Sequence, residues 1–172
     1  MTAMTAPPLA IPTLPSPSRP ISESGCHTTP GWTGEQLHPV RADHATAPID
    51  EGFDWDRCLE SVTGGPWYLV VFRSVRRPEA DAEILTEFDD LAHLEARGVG
   101  GLRLYFKGEA GPDRSCLSLC LWDSPEQARA ALRLPRHQAA VGIAHRMYER
   151  FTLERYVVAR DPATHAIGFS RA

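Results

Sequence analysis

Ser115-Cys116-Leu117-Ser118-Leu119-Cys120-Leu121-Trp122, followed at once by Asp123-Ser124-Pro125-Glu126-Gln127-Ala128, carries the two periodicities that decide the fold. The first eight residues alternate leucine with small polar or sulfur-bearing side chains, the period of two of a β-strand. The residues after Asp123 open a helix. Ser124 is a good N-cap, Pro125 suits the first helical position, and Gln127 stands where a capping box needs it.

Towards the N-terminus, residues 102–107 alternate, with Leu102, Leu104 and Phe106 on one face and Arg103, Tyr105 and Lys107 on the other. A Gly-Pro-Asp turn within residues 108–113 joins this run to residues 115–122, which predicts a hairpin. Before it, Ile84, Phe88, Leu91 and Ala92 recur at helical spacing over residues 78–97, with Pro78 in the first turn and Gly98 at the stop. Residues 67–73, Trp-Tyr-Leu-Val-Val-Phe-Arg, read as a buried strand. Towards the C-terminus the helical pattern runs to Leu132, meets Pro135, which must kink or split it, and resumes through Val141, Ile143, Ala144 and Met147. Residues 151–158 form the last strand. The order over residues 66–161 is β-α-β-β-α-β: an α+β, ferredoxin-like domain with a four-stranded antiparallel sheet and its helices on one face.

Residues 1–49 hold nine of the fifteen prolines and read as a disordered arm, in which His27, His38 and His44 are solvated tail histidines. Residues 50–65 form a short helical lead-in that packs Trp55, Cys58 and Leu59 on the domain, and residues 162–172 a tail. His93 and His145 are expected to be solvent-exposed. A net charge of -4 gives no footprint for nucleic acid or an anionic membrane, and no apolar run approaches the ~20 residues of a membrane span. Cys26, Cys58, Cys116 and Cys120 show no metal-site spacing, and no signal peptide precedes them. A cytoplasmic protein with reduced thiols is expected. The chain has one lysine, Lys107, against seventeen arginines, and no asparagine, so no mechanism here uses an Asn side chain.

If Leu117, Leu119 and Leu121 face the helices, then Cys116, Ser118, Cys120 and Trp122 point to a bare face, together with Arg103, Tyr105 and Lys107. Such a face, too polar for a core and too aromatic for an ordinary wet surface, needs cover. A second copy can close a barrel over it, or it can wall a ligand cavity; a homodimer enclosing a cavity does both.

The run from Leu119 to Ala128, then Leu134-Pro135-Arg136-His137, and finally Leu153-Glu154-Arg155-Tyr156, resembles the dimeric α/β-barrel superfamily that includes the antibiotic-biosynthesis-type monooxygenases. The resemblance covers about 95 residues. It implies a homodimer with a small aromatic ligand in a cavity, and an oxygenase-like activity needing no cofactor. On that reading Trp122 and Tyr105 hold the ring, Arg103 stabilises phenolate charge, His137 is the third catalytic candidate, and Cys116, Ser118, Cys120 and Phe72 line the ligand site. Tyr105 and Trp122 equally suit a packed interface, and a non-catalytic ligand-binding or assembly module stands as the alternative. In the haem-degrading branch of the superfamily a helix histidine binds iron, which His137 with Trp122 would echo, although that branch's asparagine is replaced by Arg73 and Ser74.

Overall fold

The computed structural model describes residues 24–172. In chain order the elements are β1 (Gly25–Thr28), α1 (Trp55–Leu59), β2 (Trp67–Arg76), α2 (Ala82–Arg97), β3 (Leu102–Lys107), β4 (Ser115–Trp122), α3 (Pro125–Leu132), α4 (Pro135–Met147), β5 (Tyr148–Arg160) and β6 (Ile167–Arg171). From β2 to β5 this is the ferredoxin-like β-α-β-β-α-β unit, with the second helical region split at Pro135. The sheet has six strands rather than four, in the order β1-β3-β4-β2-β5-β6, and every pairing is antiparallel.

Local chemistry explains the helix ends. The α2 helix begins later than Pro78 suggests, because the Asp81 carboxylate accepts from the backbone N–H groups of Glu83 and Ile84. Ser124 Oγ accepts from Gln127 N, so half of the expected capping box forms. The other half does not: Gln127 Oε1 is buried without a partner among the described residues.

The two extra strands correct the expected boundaries. Of the arm predicted to be disordered, residues 1–23 lie outside the described residues, but β1 pairs residue by residue with β3, from Gly25 opposite Lys107 to Thr28 opposite Leu104. Leu37, Ala47 and Ile49 are buried. The C-terminal tail returns as β6, where Phe169 packs edge-on against Trp55 at 5.3 Å.

The larger correction concerns the faces of the sheet. Leu117, Leu119 and Leu121 do not face the helices. They share a core with Leu69, Val71, Leu104 and Phe106, and the cover over it is Leu37, Ile49, Phe53, Trp55, Leu59 and Val62 from the N-terminal third. Each such side chain gains roughly 1.5–3 kcal/mol by leaving water, enough for a proline-rich segment to order on a leucine-lined sheet. Arg73 pins this cap: its guanidinium donates to the carbonyls of Ala45 (2.7 Å) and Ala47 (2.8 Å) and pairs with Glu154 at 3.1 Å.

The opposite face looks toward the helices. Tyr68, Leu102 and Trp122 pack there with Ala96 of α2 and Ala131 of α3. Leu102 thus lies on the other side of the sheet from Leu104 and Phe106, despite the clean alternation in sequence. The cause is a bulge: Leu102 pairs with Trp122 and Leu104 with Leu121, so Arg103 is the extra residue and parity flips there. A separate cluster of Leu85, Phe88, Ile143 and Met147 joins α2 to α4.

Candidate functional site

The helix-side face is unevenly covered. The α3 helix and the end of α2 seal one end around Trp122, while α4 packs on α2 rather than flat on the sheet. Between these clusters Val70 and Phe72 of β2 and Ser118 and Cys120 of β4 keep part of their surface open to solvent. Both strands are interior to the sheet, where side chains are ordinarily sealed, so the opening is a trough. On β5, Leu153, the partner of Phe72, continues its floor and is 46% exposed. Cys120 shows how enclosed the space is. Its surface is accessible, yet surrounding protein pushes its thiol up to about 11, against an opposing hydrogen bond with the Trp122 indole.

Side chains from α2, α4 and β3 converge on this face. The Tyr105 hydroxyl donates to Asp89, at 2.6 and 2.7 Å from its two oxygens, and Lys107 Nζ lies 2.6 Å from Asp90 and 3.3 Å from Asp89. Burial pushes the Asp89 carboxyl above the usual range, against the pull of Tyr105 and Lys107, and holds the Tyr105 phenol well above its own. His93 of α2 stacks on Tyr105 with ring centroids 4.5 Å apart, and His27 of β1 lies 6.3 Å from the same ring and 6.0 Å from that of His93. His93 is buried, which with the nearby His27, Arg97 and Lys107 lowers its pKa to about 4.

His137, in the first turn of α4, is half-buried. Burial depresses its imidazolium, while Asp89 and Glu95 act the other way, and its buried Nδ1 has no hydrogen-bond partner among the described residues.

The residues singled out from sequence therefore divide. Phe72, Ser118 and Cys120 form the trough floor, with Cys116 buried beside Ser118 on the same strand face. Tyr105 and His137 both lie within electrostatic reach of Asp89. Trp122 is sealed into the α3 cluster at 3% exposure. Arg103, in the bulge, is gripped by Asp123 through two hydrogen bonds of 2.6 and 2.7 Å, next to Thr29 and Arg97 rather than in the trough. Haem does not fit this arrangement, because the indole that should flank it is enclosed by Tyr68, Ala96, Leu102 and Ala131.

Sequence reasoning passed over Asp89, His93 and His27. His93 is not exposed, and His27 is not a solvated tail residue but the register partner of Tyr105. Spacing along α2 offered a signal, since Asp89 and His93 are four residues apart and so share one helix face.

Comparison with known proteins bears on fold and family. Rv0793 from Mycobacterium tuberculosis is similar with a TM-score of 0.50 at 15% identity, over 56% of this chain and 98% of that one. The cofactor-independent oxygenase SnoaB from Streptomyces nogalater gives 0.48 at 11% identity, over 57% and 98%. A dimeric protein of ferredoxin-like fold from Bacteroides fragilis gives 0.45 at 14% identity, over 55% and 99%. At these identities the likeness is one of fold alone. In sequence, the UPF0643 protein PB2B2.08 of Schizosaccharomyces pombe is 34% identical over 97 residues, which is 52% of this chain and 43% of that protein. The alignment thus spans less than half of that relative's length. The PB2B2.08-like family profile covers residues 33–169, taking in the N-terminal cap as well as the sheet and helices, and the chain belongs to that family.

Proposed function

We propose that this chain binds a small aromatic molecule in the trough between sheet and helices, with His137 as the group that takes a proton from it. One observation carries the reading: four side chains of the two inner strands, Val70, Phe72, Ser118 and Cys120, stay partly open to solvent on a face that the helices cover unevenly. A floor of aromatic, aliphatic, hydroxyl and thiol groups suits a flat, mostly apolar ligand. His137 has its charged form disfavoured by burial, so near neutral pH it carries a free lone pair.

The oxygenase-like activity implied by the sequence resemblance is the catalytic form of this proposal, with a bound phenol deprotonated by His137 before it meets dioxygen. Binding without turnover is the second reading. It draws support from the engagement of two catalytic candidates, Tyr105 by Asp89 and Arg103 by Asp123.

A homodimer belongs to the proposal as well, with its contact relocated. The outer sheet face is taken by the chain's own cap, which leaves the uncovered β5 side, where Leu153 at 46% exposure shares its side of the strand with Phe151 and Val157. A second copy there would roof the trough. The four cysteines are all free, which fits a reducing, cytoplasmic setting, and no helix among the described residues is long and apolar enough to cross a membrane.

Titration with 2-naphthol, followed by ligand-observed NMR, tests the site. Wild type should bind, and Cys120→Phe, which fills the trough, should abolish binding while the fold persists by circular dichroism. Unchanged binding by that variant would sink the reading. Native mass spectrometry reads any co-purified ligand and the oligomeric state together, and Leu153→Arg should convert a dimer to monomer.

A further inference from the structure

One end of the trough is polar in a way its floor does not explain. Ser74 and Arg76 follow Phe72 on the same face of β2, since side chains two apart on a strand share a side. Ser74 is 5% exposed, and its Oγ is buried with no hydrogen-bond partner among the described residues. Arg76 Nε is likewise buried and unpartnered. The rest of that guanidinium reaches only sulfur: Nη2 lies 3.9 Å from Cys116 Sγ, and no carboxylate among the described residues forms an ion pair with it.

The direction of Arg76 is informative. Its own register partner on β5 is Tyr148, whereas Cys116 is the partner of Ser74, one pleat nearer the trough. The guanidinium therefore leans back along the strand to the level of Ser74. Tyr148 closes the side, its ring 5.2 Å from that of Phe72. The acid that acts electrostatically on the neighbouring Cys116, Asp89, is already held by Tyr105 and Lys107.

A buried guanidinium N–H and a buried hydroxyl, both unpaired, each cost free energy unless something accepts from them. A single anionic group with two oxygens satisfies both, and the guanidinium fork matches a carboxylate's geometry. We infer that Arg76 and Ser74 form an anion subsite at the end of the trough, and that the ligand is an aromatic acid with its ring on Phe72 and Val70 and its carboxylate between Arg76 Nε and Ser74 Oγ. This rests on the trough being the binding site and adds the substrate class.

Paired probes of one shape separate the two ideas: 2-naphthoate, which carries the carboxylate, and 2-naphthamide, its neutral counterpart. Wild type at pH 7 should bind the naphthoate at least tenfold more tightly. Arg76→Gln should bring the two affinities within about twofold by weakening only the naphthoate, and Ser74→Ala should narrow the gap several-fold. The wild-type comparison needs no variant, so a folding defect in Arg76→Gln leaves the test intact. Equal affinity of wild type for both probes overturns the anion subsite and leaves the trough standing. Binding of neither overturns the trough and the subsite together. A naphthoate preference that survives Arg76→Gln overturns the assignment to Arg76.

Discussion

The hydroxyl of Tyr105 bonds to both oxygens of Asp89, at 2.6 and 2.7 Å, and so ties the middle of β3 to the middle of α2. Without this bond an acidic side chain would rest against an enclosed sheet face with Lys107 alone. Tyr105→Phe should therefore cost about 1.5–3 kcal/mol in chemical denaturation, the usual worth of a hydrogen bond to a charged group. Asp89→Asn should cost less, because an amide oxygen still accepts. A double-mutant cycle should return a coupling near 1 kcal/mol; additivity would mean that the contact contributes nothing.

His93, stacked on that tyrosine, gives the protein an acid-sensitive point. Its pKa is about 4 in the folded chain against 6.5 for a free histidine. Between those values the unfolded state binds more protons, so stability falls as pH drops from 6.5 toward 4. Spread over that window the loss is about 3 kcal/mol, at roughly 1.4 kcal/mol per pH unit. His93→Phe keeps the ring against Tyr105 and removes the titration. Its denaturation midpoint should change much less between pH 7 and pH 4.5 than that of wild type. An equal change in both proteins would place the acid sensitivity elsewhere.

What could be read from sequence followed from period and punctuation. The alternation of residues 115–122, the capped start at Ser124 and the break at Pro135 each act locally, and each appears in the structure. The facing of the sheet did not follow, for two physical reasons. A bulge at Arg103 reverses parity within β3 while leaving the letter pattern intact. And Leu37, Ile49, Phe53, Leu59 and Val62, spread over 26 residues among prolines, share no period, so nothing announced a third layer. With the cap unseen, the leucine face was paired with the helices. The face that carries Phe72, Ser118 and Cys120 was thus assigned the wrong surroundings, and Trp122 and Arg103 were grouped with it although they lie elsewhere.

The cap depends on Arg73, whose side chain is 15% exposed and whose guanidinium reaches the carbonyls of Ala45 and Ala47 as well as Glu154. Arg73→Met preserves the aliphatic stem, yet orphans those carbonyls and leaves Glu154 with Tyr156 alone. We expect a loss of about 2–4 kcal/mol. Amide hydrogen exchange should quicken most over residues 43–62, because the cap would open before the sheet. Uniformly faster exchange across β2 and β4 would argue that cap and sheet open as one unit.

Gly101 sets the approach of α3 to the bulge. It sits at φ +76°, where a side chain is strained, and a Cβ there would lie about 2.2 Å from the Gln127 side chain. Its carbonyl also accepts from Asp123 N at 2.8 Å, which holds the Arg103–Asp123 corner together. Gly101→Ala therefore meets two separate penalties, one of backbone and one of contact. Replacing Gln127 by alanine removes the second and also deletes an oxygen that is buried without a partner. Gln127→Ala alone should be close to neutral, because the orphaned acceptor offsets the lost packing. Gly101→Ala alone should cost more than about 2 kcal/mol, and the double variant should recover all but the backbone share of roughly 1 kcal/mol. If the double variant is as unstable as Gly101→Ala, the strain lies wholly in the backbone and Gln127 is free to move aside.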